Sequence, residues 1–240
     1  MIINHDPNVT DWIIAVSTAL GVVATLILAS VALFQEQFRS WLSRPKLDAT
    51  IEMDAPDCVA IPLTAMTQVG QISANTYYFR IRVWNRGNAS ARQVEVVGTQ
   101  LRQKTAAGTW LMVTSFLPMN FVWSNTGPGR VILYPQIMPG MFKHCDIGHV
   151  IDPAQRGTFN EENPALRLQH AVISFAFDQT IQPNNFAHII GPGDYELDVV
   201  LAAANAPLAR RTLSLSFVGN WYSDKTEMLT RGIGITIASS

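Results

Sequence analysis

Between Trp12 and Phe34 the chain reads WIIAVSTALGVVATLILASVALF, without one charged side chain. At a rise of about 1.5 Å per residue this stretch makes a helix about 34 Å long, enough to cross a hydrocarbon core of about 30 Å with some tilt. The sequence therefore predicts a transmembrane helix over 12–34. A cleaved signal peptide is the rival reading. It needs a basic leader and a shorter apolar core, whereas the preceding MIINHDPNVTD carries Asp6 and Asp11 and no Lys or Arg.

Orientation follows from the basic residues on either side, because Lys and Arg resist translocation. None precedes the helix, while Arg39, Arg44 and Lys46 follow it. The expectation is an N-terminal tail (1–11) outside and a C-terminal domain (47–240) in the cytoplasm, at a bacterial inner membrane. The sequons at Asn8 and Asn88 are then chance matches. Residues 35–46 keep helical spacing through Phe34, Phe38, Trp41 and Leu42 until Pro45 stops them. They read as an interfacial helix, with Trp12, Phe38, Arg39, Trp41 and Arg44 as anchors at headgroup depth. Ser17, Gly21 and Thr25 recur every four residues and form a strip of small side chains. Either this strip receives another membrane helix, or it reflects the abundance of small residues in such helices.

Past Lys46 the period changes from helical to alternating and stays so. Leu47, Ala49, Ile51 and Met53 alternate with polar residues, as expected of a strand with one buried face. Tyr77–Leu101 reads as a strand, a polar turn at Asn85–Asn88 and a second strand, with Phe79, Ile81 and Val83 on one face and Tyr78, Arg80, Arg82 and Trp84 on the other. Further strands are expected over 109–116, 130–134, 141–151, 166–177, 194–203, 211–217 and 233–237. Pro- and Gly-bearing turns separate them, and 152–164 forms a long polar loop or a helical turn. Many short strands without helices between them predict a mainly β domain, an antiparallel sandwich following one membrane helix.

The charged fraction is 15%, against roughly 25% for an ordinary soluble domain, and the net charge is -1 with scattered Lys and Arg, which argues against a nucleic-acid face. Cys58 and Cys145 are the only two cysteines. They form either one disulfide or two reduced core thiols.

The run Val83, Asn85, Gly87, Asn88, Ala91, Val94, Val96 resembles a hairpin of immunoglobulin-like bacterial domains of the cell-adhesion-related type, which implies an immunoglobulin-like β-sandwich. More broadly, RPKL, YYFRIRVWNRG, CDIGHV and the C-terminal unit of Gly193, Tyr195, Leu197, Asn205, Ala206, Phe217, Gly219 and Trp221 resemble a set of uncharacterised bacterial single-pass membrane proteins. That resemblance implies no activity.

Candidate chemistry is sparse. His144-Cys-Asp-Ile-Gly-His149 carries metal-ligand types, yet alternation along a strand sends His144 and Asp146 to one face and Cys145 and His149 to the other. His5, His170 and His188 read as isolated surface or capping residues, and Glu161-Glu162 as solvated loop acids. Gly127-Pro-Gly129 and Gly191-Pro-Gly193 read as turns, because each Pro removes an amide that a phosphate loop would use. No catalytic, cofactor or metal residue is assigned, and the expectation is not an enzyme.

The expected role is that of a non-enzymatic, membrane-anchored scaffold subunit binding other membrane proteins, the lipid bilayer and no nucleic acid. In layout the chain resembles the H subunit of purple-bacterial photosynthetic reaction centres, which points to a pigment–protein complex by architecture alone. The alternative is a membrane-anchored ligand sensor or defence effector that signals through helix association. Tyr78, Arg80, Arg82 and Trp84 form the candidate partner surface, since Trp, Tyr and Arg dominate interface anchors. The other reading is that a loop covers this face.

Overall fold

The computed structural model describes residues 8–68, 70–126 and 131–238, with backbone alone over 36–42. The chain divides into two compact units, Met1–Arg44 and Pro45–Ser240. The first is built around one continuous helix, α1 (Val9–Leu42). Asn8 Oδ1 accepts the Asp11 N–H at 3.0 Å, and Asp11 Oδ2 accepts the Asn8 N–H in return, so the first turn is capped reciprocally. Within Val9–Gln35 an 18-residue window has a mean hydropathy of 2.3 and is not buried by any described residue, so this element is long and apolar enough to cross a membrane.

The second unit is mainly β. Its strands are β1 (Leu47–Thr50), β2 (Cys58–Ala60), β3 (Leu63–Thr67), β4 (Gly70–Ala74), β5 (Thr76–Asn85), β6 (Ala91–Lys104), β7 (Trp110–Met112) and β8 (Met119–Asn120). They continue with β9 (Val122–Trp123), β10 (Tyr134–Ile137), β11 (Phe142–Ile151), β12 (Phe175–Phe177), β13 (Ile189–Ile190), β14 (Gly193–Ala203), β15 (Ala206–Phe217) and β16 (Ile233–Ile237). Among the described residues one sheet runs β1-β5-β11-β12-β13, with β2 on β5 and β9 on β11. The other runs β10-β6-β14-β15-β16, with β7 and β8 on β6, and β3-β4 forms a separate hairpin. Every pairing is antiparallel.

The core follows from the alternating rows. Phe79, Ile81 and Val83 of β5 are fully buried, as are Val94 and Val96 of β6, Val199 and Leu201 of β14, and Cys145 and Val150 of β11. Both sheets contribute to one continuous cluster, and Phe175 of the first lies 6.4 Å from Phe217 of the second. Cys58 and Cys145 are free thiols, both buried.

Tyr77–Leu101 is not a hairpin. β5 pairs with β1, β2 and β11, whereas β6 pairs with β10, β14, β7 and β8, so Asn85–Ser90 carries the chain from one sheet to the other. The apolar rows of β5 and β6 both enter the one buried cluster between the sheets, each from its own sheet. The crossing is organised by Asn85, whose side chain is fully buried. Its Nδ2 donates to Ala89 O (2.7 Å) and Ile137 O (3.0 Å), and its Oδ1 accepts Gly87 N–H (3.0 Å) and Lys46 N–H (3.2 Å). Asn85→Leu should strand these four groups at a cost of about 2 kcal/mol, read as a lower urea midpoint at unchanged slope.

Other strands depart from the sequence reading. The expected strand 130–134 is instead Tyr134–Ile137, an edge position that tolerates Pro135. Of 166–177 only Phe175–Phe177 pairs, after a 3-10 turn at Pro164–Leu166. Of 109–116 only Trp110–Met112 pairs. The long loop holds a second 3-10 turn, Arg156–Phe159. Gly127-Pro-Gly129 lies outside the described residues.

Candidate functional site

On α1 the strip of Ser17, Gly21 and Thr25 is exposed. Its hydroxyls turn back onto the helix: Ser17 Oγ donates to Ile13 O, and Thr25 Oγ1 to Gly21 O at 2.8 Å. Thr18 and Ser30 do the same to Ile14 O and Leu26 O. The helix surface is therefore apolar even where its residues are polar, and a Cβ added at Gly21 would meet nothing within 4 Å. Trp12 is exposed near the start of α1, and Arg44 is exposed just beyond its end. The Phe38, Arg39 and Trp41 side chains lie outside the described residues.

The row Tyr78, Arg80, Arg82, Trp84 does lie on the outer face of the first sheet, and each member is half-buried. The segment between β1 and β2 folds over it. Asp57, whose carboxylate is wholly enclosed, accepts from Arg82 Nε (2.8 Å), His144 Nε2 (3.0 Å) and Glu52 N–H (2.8 Å). Arg82 also reaches Glu52 Oε2 at 2.7 Å, and Arg80 Nη2 donates to Pro56 O at 2.6 Å. Trp84 Nε1 donates to Thr50 Oγ1, with its ring between Phe142 (4.6 Å) and the Arg86 guanidinium (4.7 Å).

The structure corrects the expected divergence within His144–His149. β11 holds register with β5 through Asp146↔Arg80 and then slips, resuming at Gly148↔Phe79 and His149↔Tyr78. Ile147 is the extra residue of a β-bulge, and it shifts the alternation by one. His144, Asp146 and His149 consequently share the outer face with Arg82, Arg80 and Tyr78. Among the described residues no group of three or more His, Cys, Asp or Glu is arranged to hold a metal ion.

His149 instead sits between two carboxylates. Its Nδ1 lies 2.9 Å from Asp178 Oδ1, and its Nε2 lies 2.9 and 2.8 Å from the two Glu161 oxygens. The Tyr78 ring lies 5.3 Å from the imidazole, tilted by 34°. Burial opposes the charged imidazolium, but Asp178 and Glu161 outweigh it and push the pKa up to about 10. At neutral pH this is a buried cation bonded through both nitrogens, so it has no lone pair with which to accept a proton.

Next to it, Asp146 is pushed up to about 6, first by burial and then by the Asp178 charge, against the hydrogen bond from Ser124 and the positive charges of Arg80 and His149. A carboxyl with a folded pKa above its unfolded value stabilises most below the unfolded value and loses that contribution as pH rises through 6. Asp146→Asn keeps an acceptor for Ser124 and removes the charge. It should therefore raise stability at pH 8 by about 1 kcal/mol and change little at pH 4, as thermal melts at the two pH values would read.

Asp57, Glu161 and Asp178 are the members of this face that sequence reasoning missed. Glu161 stands in a polar loop, and only the tertiary fold swings that loop over β11. His188, expected as a surface or capping residue, is buried beside the Phe186 ring. His170 stays exposed and lines an open hollow of about 640 Å³ with Asp152, Asn220, Trp221 and Tyr222.

No protein-family model, curated protein or solved structure matches the chain.

Proposed function

We propose that this protein is a single-pass, membrane-anchored, non-enzymatic accessory subunit that binds or braces a larger membrane protein complex. The observation that carries the reading is α1, whose apolar surface within Val9–Gln35 is left uncovered by the described residues and whose hydroxyls are satisfied within the helix. Such a surface is stable in lipid, and its Ser17–Gly21–Thr25 strip lets a second helix approach without burying an unpaired polar atom. In this reading the domain is an immunoglobulin-like sandwich on the cytoplasmic side, because the basic residues follow the helix. The row Tyr78, Arg80, Arg82 and Trp84 is half-buried beneath the segment between β1 and β2, so in this reading a protein partner meets that segment together with the exposed edges of the row, and a reaction-centre-type complex is the architectural example. The carboxylates and histidines of the outer face support a role in binding over one in catalysis, since they are spent on one another.

Extraction in mild detergent at native expression level, followed by size-exclusion chromatography and mass spectrometry, tests the class. Migration with one or more integral membrane proteins is expected, and migration as a lone monomer would overturn it. Protease accessibility on intact cells tests the orientation: the β domain should be protected.

A further inference from the structure

The turn between β10 and β11 holds two methionines in solvent. Met138 and Met141 are each 54% exposed, with exposed Pro139 and Gly140 between them. The turn is held firmly. Met141 N–H donates to Met138 O (3.1 Å), Gly140 N–H to Asn85 O (2.8 Å) and Asn85 N–H to Met141 O (2.9 Å). The same Asn85 accepts Lys46 N–H through its side chain, and Arg86 N–H donates to Lys46 O at 2.7 Å. One buried asparagine thus ties the methionine tip to the residues by which the chain enters the domain.

Cations flank this tip. Lys46, Arg86 and Arg92 are exposed, Gln136 of β10 pairs with Arg92, and Ser90 Oγ lies 3.4 Å from Met138 Sδ. Asp48 and Arg86 are paired with each other, and Arg211 also reaches Asp48, so Lys46 and Arg92 are the cations that count at the tip. Apolar side chains ringed by Lys and Arg suit the headgroup region of a membrane carrying negative charge.

Covalent connectivity argues for the occupant. Only Ser43 and Arg44 separate Leu42 from Pro45, which confines Pro45 to about 10 Å from the end of α1. The helix itself runs about 10 Å past Gln35, the last residue of its apolar stretch. Three residue steps of covalent chain are thus all that separate a helix in a bilayer from the first residue of the domain.

We propose that the Met138–Met141 tip, with Lys46 and Arg92 beside it, rests on an anionic lipid surface, that of the bilayer holding α1. This depends on α1 lying in a membrane and is indifferent to which side the domain occupies.

The full chain, reconstituted into vesicles of equimolar phosphatidylcholine and phosphatidylglycerol, allows a direct test. Both native cysteines are buried, and burial pushes the Cys58 thiol up to about 12 and Cys145 well above its ordinary value, so a thiol-reactive fluorophore goes to an introduced cysteine. Three sites are labelled: Met138→Cys at the tip, Val16→Cys on α1, and Met66→Cys on the β3–β4 hairpin, about 30 Å away at the other end of β5. The Met138→Cys label should be blue-shifted and quenched by lipids carrying a quencher near the headgroup, whereas Met66→Cys should not respond. Lys46→Glu with Arg92→Glu, or pure phosphatidylcholine, should cut that quenching several-fold. A Met138→Cys signal matching Met66→Cys, with Val16→Cys quenched from the acyl chains, overturns the tip contact alone. Equal quenching in pure phosphatidylcholine overturns the anionic assignment. An unquenched Val16→Cys removes the membrane reading, and the contact with it.

Discussion

Gly148→Ala is expected to destabilise the β domain by about 3 kcal/mol or more, which lowers the melting temperature by roughly 6–12 °C for a domain of this size. Gly148 follows the bulge and faces inward, opposite Phe79 of β5 and Phe177 of β12. A Cβ there would lie 2.4 Å from Ala176 O and 2.4 Å from Phe175 Cε1. The oxygen belongs to a paired strand and cannot withdraw. The Phe175 ring has no room to swing either, because Phe79, Phe177 and Phe217 surround it with centroids at 5.8, 5.2 and 6.4 Å. Gly234→Ala is the control, since a Cβ at that position meets nothing within 4 Å. Thermal unfolding of both variants in the same detergent checks the result, and a Gly148→Ala protein that melts with the control would refute the bulge.

His149→Ala should cost about 3–5 kcal/mol at pH 7, because it leaves Glu161 and Asp178 enclosed without their cation. Asp178 already has one buried oxygen, Oδ2, without a hydrogen bond, so it has little in reserve. The pH dependence identifies the cause. With a folded pKa of about 10 against an ordinary 6.5, the imidazolium contributes fully below pH 6.5, and its contribution fades as pH rises towards 10. Urea midpoints of the wild-type chain should fall across that window more steeply than those of the variant. If His149→Ala does not fold, Glu161→Gln provides the same comparison with a smaller loss. A variant profile parallel to the wild type from pH 6.5 to 10 would mean that His149 is not charged in the folded protein.

Short-range patterns in the sequence were read well. The uncharged run of Trp12–Phe34 lies within α1, and the alternation of Phe79, Ile81 and Val83 is the buried row of β5. The Ala204-Asn205 turn joins β14 to β15, which pair along their length as neighbours in sequence often do. What failed was partnership at a distance. Nothing in Asn85–Ser90 distinguishes a turn that pairs its flanking strands from one that passes them to opposite sheets. Only the burial of Asn85 against Ile137 and Lys46 decides it. The outer face failed for a related reason. A single bulged residue, Ile147, reverses which side His149 occupies, and a one-residue slip moves every later side chain to the other face.

From the sequence alone came the apolar helix and the mainly β character of the rest, because both depend on periodicity within one element. The tertiary structure alone decided which strands share a sheet, that Cys58 and Cys145 remain free thiols, and that Glu161, His149 and Asp178 meet. It also placed Met138 and Met141 at the entry to the domain, through hydrogen bonds between residues far apart in the chain. Hydrophobic period is written residue by residue, whereas a buried charge or a strand crossing is settled by which distant segment arrives to satisfy it.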